Sequence, residues 1–154
     1  MSIELDNAVA SIKHLNIRKE GPDQEKVLAV DMKLEIIVAA EDVLPYFDSA
    51  LRHFLFNDET NAVRFPAMGA IPWSGEMENM ELDLHGLEFR NVRLSKFQIE
   101  PMLQQERQFV TLTLSASFQP EGRDVAVLAE YVQETAEIVI RPTQQQLFDE
   151  RNAA

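Results

Sequence analysis

Leu28, Val30, Met32, Leu34, Ile36 and Val38 stand at alternate positions, with Ala29, Asp31, Lys33 and Glu35 between them. This period of two predicts a long, half-buried β-strand. The same spelling returns downstream, where Val110, Leu112, Leu114, Ala116 and Phe118 face one way while Thr111, Thr113, Ser115 and Ser117 face the other. Residues 9 to 18 also have strand character. Lys19, Glu20, Gly21, Pro22 and Asp23 spell a turn before the run from Leu28, so a hairpin is expected there.

From Glu41 the period changes. Leu44, Phe47, Leu51, Phe54 and Leu55 follow one helical face, Pro45 is tolerable in a first turn, and Glu41 or Asp42 is placed to cap. The spacing predicts a helix near 42 to 56 that crosses the sheet. Pro66, Gly69, Pro72 and Gly75 then predict an irregular crossing, with Trp73 covering the edge of the core. Met80, Leu82 and Leu84 mark another strand, followed by a tight turn at Gly86. Val92 and Leu94 share one parity while Phe97 and Ile99 share the other, so a bulge is expected near Ser95 and Lys96. Pro101 is expected to end that strand, and the strand around Leu112 to pair with it across Gln104, Gln105 and Glu106. Val125, Leu128, Ala129 and Val132 suggest a second helix near 123 to 134 with Asp124 as cap. A last strand over 136 to 140 ends at Arg141 and Pro142.

The expected fold is therefore α+β: an antiparallel, strongly twisted sheet or partly closed β-sandwich of about seven strands with two helices. One domain over 1 to 140 and a flexible tail over 141 to 154 account for the length of 154 residues. No window approaches the roughly 20 apolar residues that span a bilayer, so no membrane partner and a cytoplasmic location are expected. Cysteine is absent, which removes disulfides and thiolate chemistry. Edge pairing offers a route to a homodimer.

The arrangements that carry catalysis are missing. The sequence has no G-x-S-x-G, no phosphate-cradling glycine loop and no H-E-x-x-H. His14, His53 and His85 lie far apart, and His14 reads as a surface or partly buried structural residue. Glu76, Glu78, Glu81 and Asp83 form the densest carboxylate group, but Glu81 and Asp83 alternate with apolar residues as the wet face of a strand does. The expectation is a protein that is not an enzyme, with no cofactor and no metal.

The charge of −12, from 26 acidic and 14 basic residues, repels phosphate over most of the surface. Residues 89 to 97 are the exception. They hold Arg90, Arg93 and Lys96 between Phe89 and Phe97 without an acid, the ingredients with which sheets bind single-stranded DNA. Arg90, Arg93, Lys96 and Phe97 are therefore the candidate residues for a single-stranded DNA-binding module. A third reading takes the acidic surface itself as a DNA mimic that inhibits a host nuclease or defence protein.

The leading clue lies in the tail, where Gln144, Gln145, Gln146, Leu147 and Phe148 read Q-x-x-L-F. This resembles the peptide by which bacterial replication and repair proteins dock on the sliding clamp. The resemblance implies a polar contact from Gln144 and apolar anchors at Leu147 and Phe148. Leucine is frequent in the family where Gln145 stands, and serine or aspartate where Gln146 stands. Asn16-Ile17-Arg18-Lys19-Glu20, the run over 26 to 34, Arg64-Phe65-Pro66 and Phe97-Gln98-Ile99-Glu100-Pro101 together resemble a small uncharacterised family of bacteriophage proteins. That resemblance implies a phage or prophage origin in a bacterial host. The function expected first is a non-catalytic phage accessory of DNA replication or recombination, docked on the host sliding clamp or another host protein through its tail.

Overall fold

The computed structural model describes residues 2 to 143. Seven antiparallel strands, β1 (Leu5–Glu20), β2 (Val27–Ala39), β3 (Ile71–Trp73), β4 (Met77–Leu84), β5 (Leu87–Gln104), β6 (Arg107–Phe118) and β7 (Thr135–Pro142), run with three short α-helices, α1 (Ala40–Val43), α2 (Leu51–Leu55) and α3 (Gly122–Glu130). The order is β3-β5-β4-β7-β1-β2-β6, and β5 pairs with β6 as well. Six strands thus close into a barrel and β3 adds to it, where a strongly twisted sheet or partly closed β-sandwich was expected. Closure follows from the length and bend of β5. Its first half borders β4, and from Arg93 onward it borders β6. The bend is the expected bulge: the register shifts between Ser95 and Gln98, and Lys96 takes a positive φ of 55°.

Both alternating runs put their apolar sides inside. Leu34 lies opposite Leu114 and Ile36 opposite Leu112, all at most 1% exposed. They join Leu82, Leu84, Leu94, Ile138 and Ile140 in one core, each such side chain contributing about 1.5 to 3 kcal/mol of burial. The β1–β2 hairpin and the β5–β6 hairpin form as expected.

The expected helix over 42 to 56 does not form as one piece. It breaks into α1, a 3-10 turn at Leu44–Tyr46, and α2. The cause is local. Asp48 Oδ1 accepts the Ala50 N–H at 2.7 Å, an Asx turn that competes with helical bonding. Neither Glu41 nor Asp42 caps: the N-cap is Ala39, without a side-chain bond, and both acids sit in the first turn. Apolar spacing was satisfied without a helix, because Phe47 packs edge-on against Trp73 and Phe97, with centroids 5.0 and 5.2 Å away. Trp73 is half-buried at the core edge, as expected.

Pro101 does not end β5. It pairs with Val110, and β3 begins at Ile71, opposite Ile99, so among the described residues the other side of β5 has no strand at Pro101 and the missing N–H is tolerated. The second helix is shorter than 123 to 134, with Glu121 as N-cap and Asp124 in its first turn. Residues beyond it are drawn onto the β1 bulge instead: the Gln133 N–H donates to the Ile12 carbonyl at 2.7 Å and the Ile12 N–H to the Glu134 carbonyl at 3.1 Å. β7 extends through Arg141 and Pro142, opposite Glu81 and Met80.

Candidate functional site

β1, β2, β6 and β5 lie side by side, and their outward residues fall into rows. His14 is opposite Lys33, Lys33 opposite Ser115, and Ser115 opposite Ser95. Asn16, Asp31, Ser117 and Arg93 form the next row. The middle of each row is a short hydroxyl side chain on β6. The outer positions hold His14, Asn16 and Arg93, while Ser95 is short and 7% exposed. Two bulges, at Ile12/His14 on β1 and Ser95/Gln98 on β5, border the face, so a floor of serines lies between raised polar and cationic side chains.

Two adjoining hollows result. The first, about 430 Å³, is lined by His14, Asn16, Lys33, Lys96, Gln98 and Ser115 among others. The second, about 380 Å³, is lined by Arg18, Glu20, Arg90, Asn91, Arg93 and Ser117 with their neighbours. Asp31 joins them. It lines the first hollow, and its carboxylate accepts from Arg18 Nε at 2.9 Å and from the Ser117 hydroxyl at 2.6 Å.

The charges of this face are unevenly matched. Arg18 is held by Asp31 and Glu20. Its hydrogen bond to Asp31, ahead of that to Glu20, raises its pKa above the ordinary arginine value. Asp31 is held at about 2, chiefly by the Arg18 hydrogen bond, with Ser117 adding to it against the opposing effect of burial. The Glu20 carboxyl is lowered first by the Gln119 amide and then by Arg18. Arg90 reaches Glu81 at 3.9 Å. Lys33, Arg93 and Lys96, in contrast, have no carboxylate within 4 Å among the described residues. All three are exposed.

Of the residues expected to touch single-stranded DNA, Arg90, Arg93 and Lys96 are thus brought to one face, and Phe97 is not. Phe97 is 1% exposed because the bulge turns it inward against Phe47 and Trp73. Phe118 lines the second hollow but is itself buried. The face offers hydroxyls, amides, cations, the Asp31 and Glu20 carboxylates and the His14 imidazole, and among the described residues no exposed Phe, Tyr or Trp lines either hollow. The sequence reading missed His14, Asn16, Lys33, Ser115 and Ser117 as lining. The signal available for them was the run of small hydroxyl residues on the outward side of β6.

Other candidates are dispersed. His14, His53 and His85 lie on β1, on α2 and in the β4–β5 turn. Glu81 is used by Arg90 and Arg141, and Asp83 accepts the Gly86 N–H. Among the described residues no group of three or more histidines and carboxylates could hold a metal ion, and no helix is long and apolar enough to cross a membrane. His53 Nδ1 lies 2.6 Å from Asp58 Oδ2. Ser49 lines a hollow with His53 and Asp58, and among the described residues no hydrogen bond joins its hydroxyl to that imidazole. Gln144, Leu147 and Phe148 lie outside the described residues.

No family model matches the chain, and neither a curated protein nor a solved structure does.

Proposed function

We propose that the protein is a non-catalytic accessory of DNA replication or recombination whose barrel binds single-stranded DNA by its phosphates along the β1–β2–β6–β5 face. One observation carries the reading: on a chain of net charge −12, Lys33, Arg93 and Lys96 stand together without carboxylate partners beside a serine floor. Elsewhere the acidic surface repels phosphate, so the strand is confined to this face. The bulge between Ser95 and Gln98 returns Lys96 to the outward side three residues after Arg93, which lets the two meet neighbouring phosphates of an extended chain. Phosphate contacts position a strand without reading its bases. Binding is therefore salt-sensitive and indifferent to sequence.

A titration of the isotope-labelled protein with a short thymidine oligonucleotide tests this. The amides of Lys33, Ser95, Lys96, Ser115 and Ser117 are expected to shift together. Shifts confined to other surfaces would remove the reading.

The tail supports a second, compatible role. The Q-x-x-L-F spelling begins two residues after β7 ends at Pro142, and in this role Gln144 would make the polar contact and Leu147 and Phe148 the apolar anchors on a sliding clamp. Such a tether would raise the local concentration of the barrel near replicating DNA. Calorimetry of a 141 to 150 peptide with the clamp tests it, and no heat at high micromolar concentration would remove the tether while leaving the groove in place.

A further inference from the structure

The barrel wall is split at one place. β1 and β2 pair from Glu20–Val27 only as far as Ala10–Ile36, although β1 begins at Leu5 and β2 continues to Ala39. Before Ala10, β1 pairs with β7 alone, through Leu5–Ile140, Ala8–Ile138 and Val9–Glu137. Beyond Ile36, β2 pairs with β6 alone, through Ile37–Thr111, Val38–Val110 and Ala39–Phe109. Among the described residues, the two strand edges that face each other here have no strand between them.

A cleft of about 850 Å³ occupies the split. Val9 and Ile37 border it and are 56% and 46% exposed, with Phe109 and Val139 extending the apolar lining. An unpaired edge beside exposed β-branched residues is a template for an added strand. Charge selects the sort of strand. Glu4, Asp6 and Asp42 border the cleft and have no ion-pair partner among the described residues. Of the two bordering arginines, Arg141 is held by Glu81, and the Arg107 guanidinium lies over the Phe109 ring. Glu4 and Asp42 also act together on Tyr46, which lines the same cleft: after burial, these two charges are what raise its phenol above the ordinary value.

We infer that this cleft is a docking site for an extended basic segment of a partner protein, which adds as a strand between β1 and β2. Its apolar side chains lie on Val9 and Ile37, and its lysines or arginines face Glu4, Asp6 and Asp42. The site is separate from the proposed DNA face, since the two share no lining residue, and its carboxylates repel the phosphates that the other face attracts.

The test uses two probes on the intact, isotope-labelled protein: a capped heptapeptide alternating lysine and valine, and its counterpart alternating glutamate and valine. The basic peptide is expected to shift the amides of Asp6, Asn7, Ala8, Val9, Ile37, Val38 and Ala39, and the acidic peptide to leave them in place. Glu4→Gln with Asp42→Asn, both at exposed positions, is expected to weaken the basic peptide about tenfold at low salt. No shift of these amides at millimolar peptide, equal shifts with both peptides, or affinity unchanged in the double variant would each overturn the inference.

Discussion

Arg18 on β1 and Asp31 on β2 are joined across the sheet by two hydrogen bonds, from Nε to Oδ2 at 2.9 Å and from a terminal guanidinium nitrogen to Oδ1 at 3.3 Å. The pair sits where the two hollows of the proposed DNA face meet. It is at once part of the barrel's stability and part of the charge pattern that a ligand would encounter.

Stability should therefore carry an acid-sensitive component. The Asp31 carboxyl is lowered to about 2 in the fold, from an ordinary value of 3.8. A lowered carboxyl stabilises the fold fully above the ordinary value, and that contribution disappears as pH falls from about 4 through about 2. With solvent screening of the partly exposed pair it amounts to roughly 1 to 2 kcal/mol. Urea unfolding of wild type and Asp31→Asn between pH 2 and 6 should show a gap that narrows below pH 4. A gap independent of pH would contradict the assignment.

Phe97 belongs to the core, so its truncation should act on folding. Phe97→Ala is expected to cost about 3 to 5 kcal/mol in chemical denaturation. Phe97→Leu should keep both most of the stability and all of the DNA affinity. Loss of affinity in a folded Phe97→Leu protein would show that the ring reaches the ligand.

Gly75 makes room for the only tryptophan. A Cβ built there would lie 2.2 Å from the Trp73 ring, closer than the indole can accept without moving. Gly75→Ala should lower stability by about 1 to 3 kcal/mol through overpacking and change the near-ultraviolet circular dichroism. An unaltered indole signal would contradict the packing.

Lys96 separates strain from charge. Its φ of 55° lies in the left-handed region that costs an ordinary residue and suits glycine. Lys96→Gly should leave stability unchanged or raise it by up to about 1 kcal/mol, while weakening oligonucleotide binding. Both readouts come from one protein, so a loss of binding is not confounded by unfolding.

Local pattern was legible where one residue dictated its own side. The alternation from Leu28 and from Val110 placed both strands, and the parity change between Leu94 and Phe97 located the bulge. Pro101 misled because its tolerance depends on where β3 begins, opposite Ile99, a fact about another segment. The apolar spacing from Leu44 to Leu55 suited a helix, yet Asp48 offered Ala50 a competing bond and Trp73 and Phe97 gave Phe47 its contacts. Barrel closure was not legible, since it requires β5 to serve β4 with one half and β6 with the other. Arg90, Arg93 and Lys96 were legible as a basic stretch. Lys33 and Ser115 were not, because only strand pairing brings them beside it.

The central claim is that unpaired cations on the β1–β2–β6–β5 face hold the phosphates of single-stranded DNA. Its most direct test is a salt titration of a labelled single-stranded oligonucleotide by fluorescence anisotropy, comparing wild type with Lys33→Ala/Arg93→Ala/Lys96→Ala. Each phosphate contact adds about 0.7 to the logarithmic salt slope on single strands. Wild type should bind at low salt, and the triple variant, with an unchanged circular dichroism spectrum, should lose about two units of slope and at least tenfold in affinity. No binding by wild type at low salt, or an equal slope and affinity in the variant, would contradict the claim.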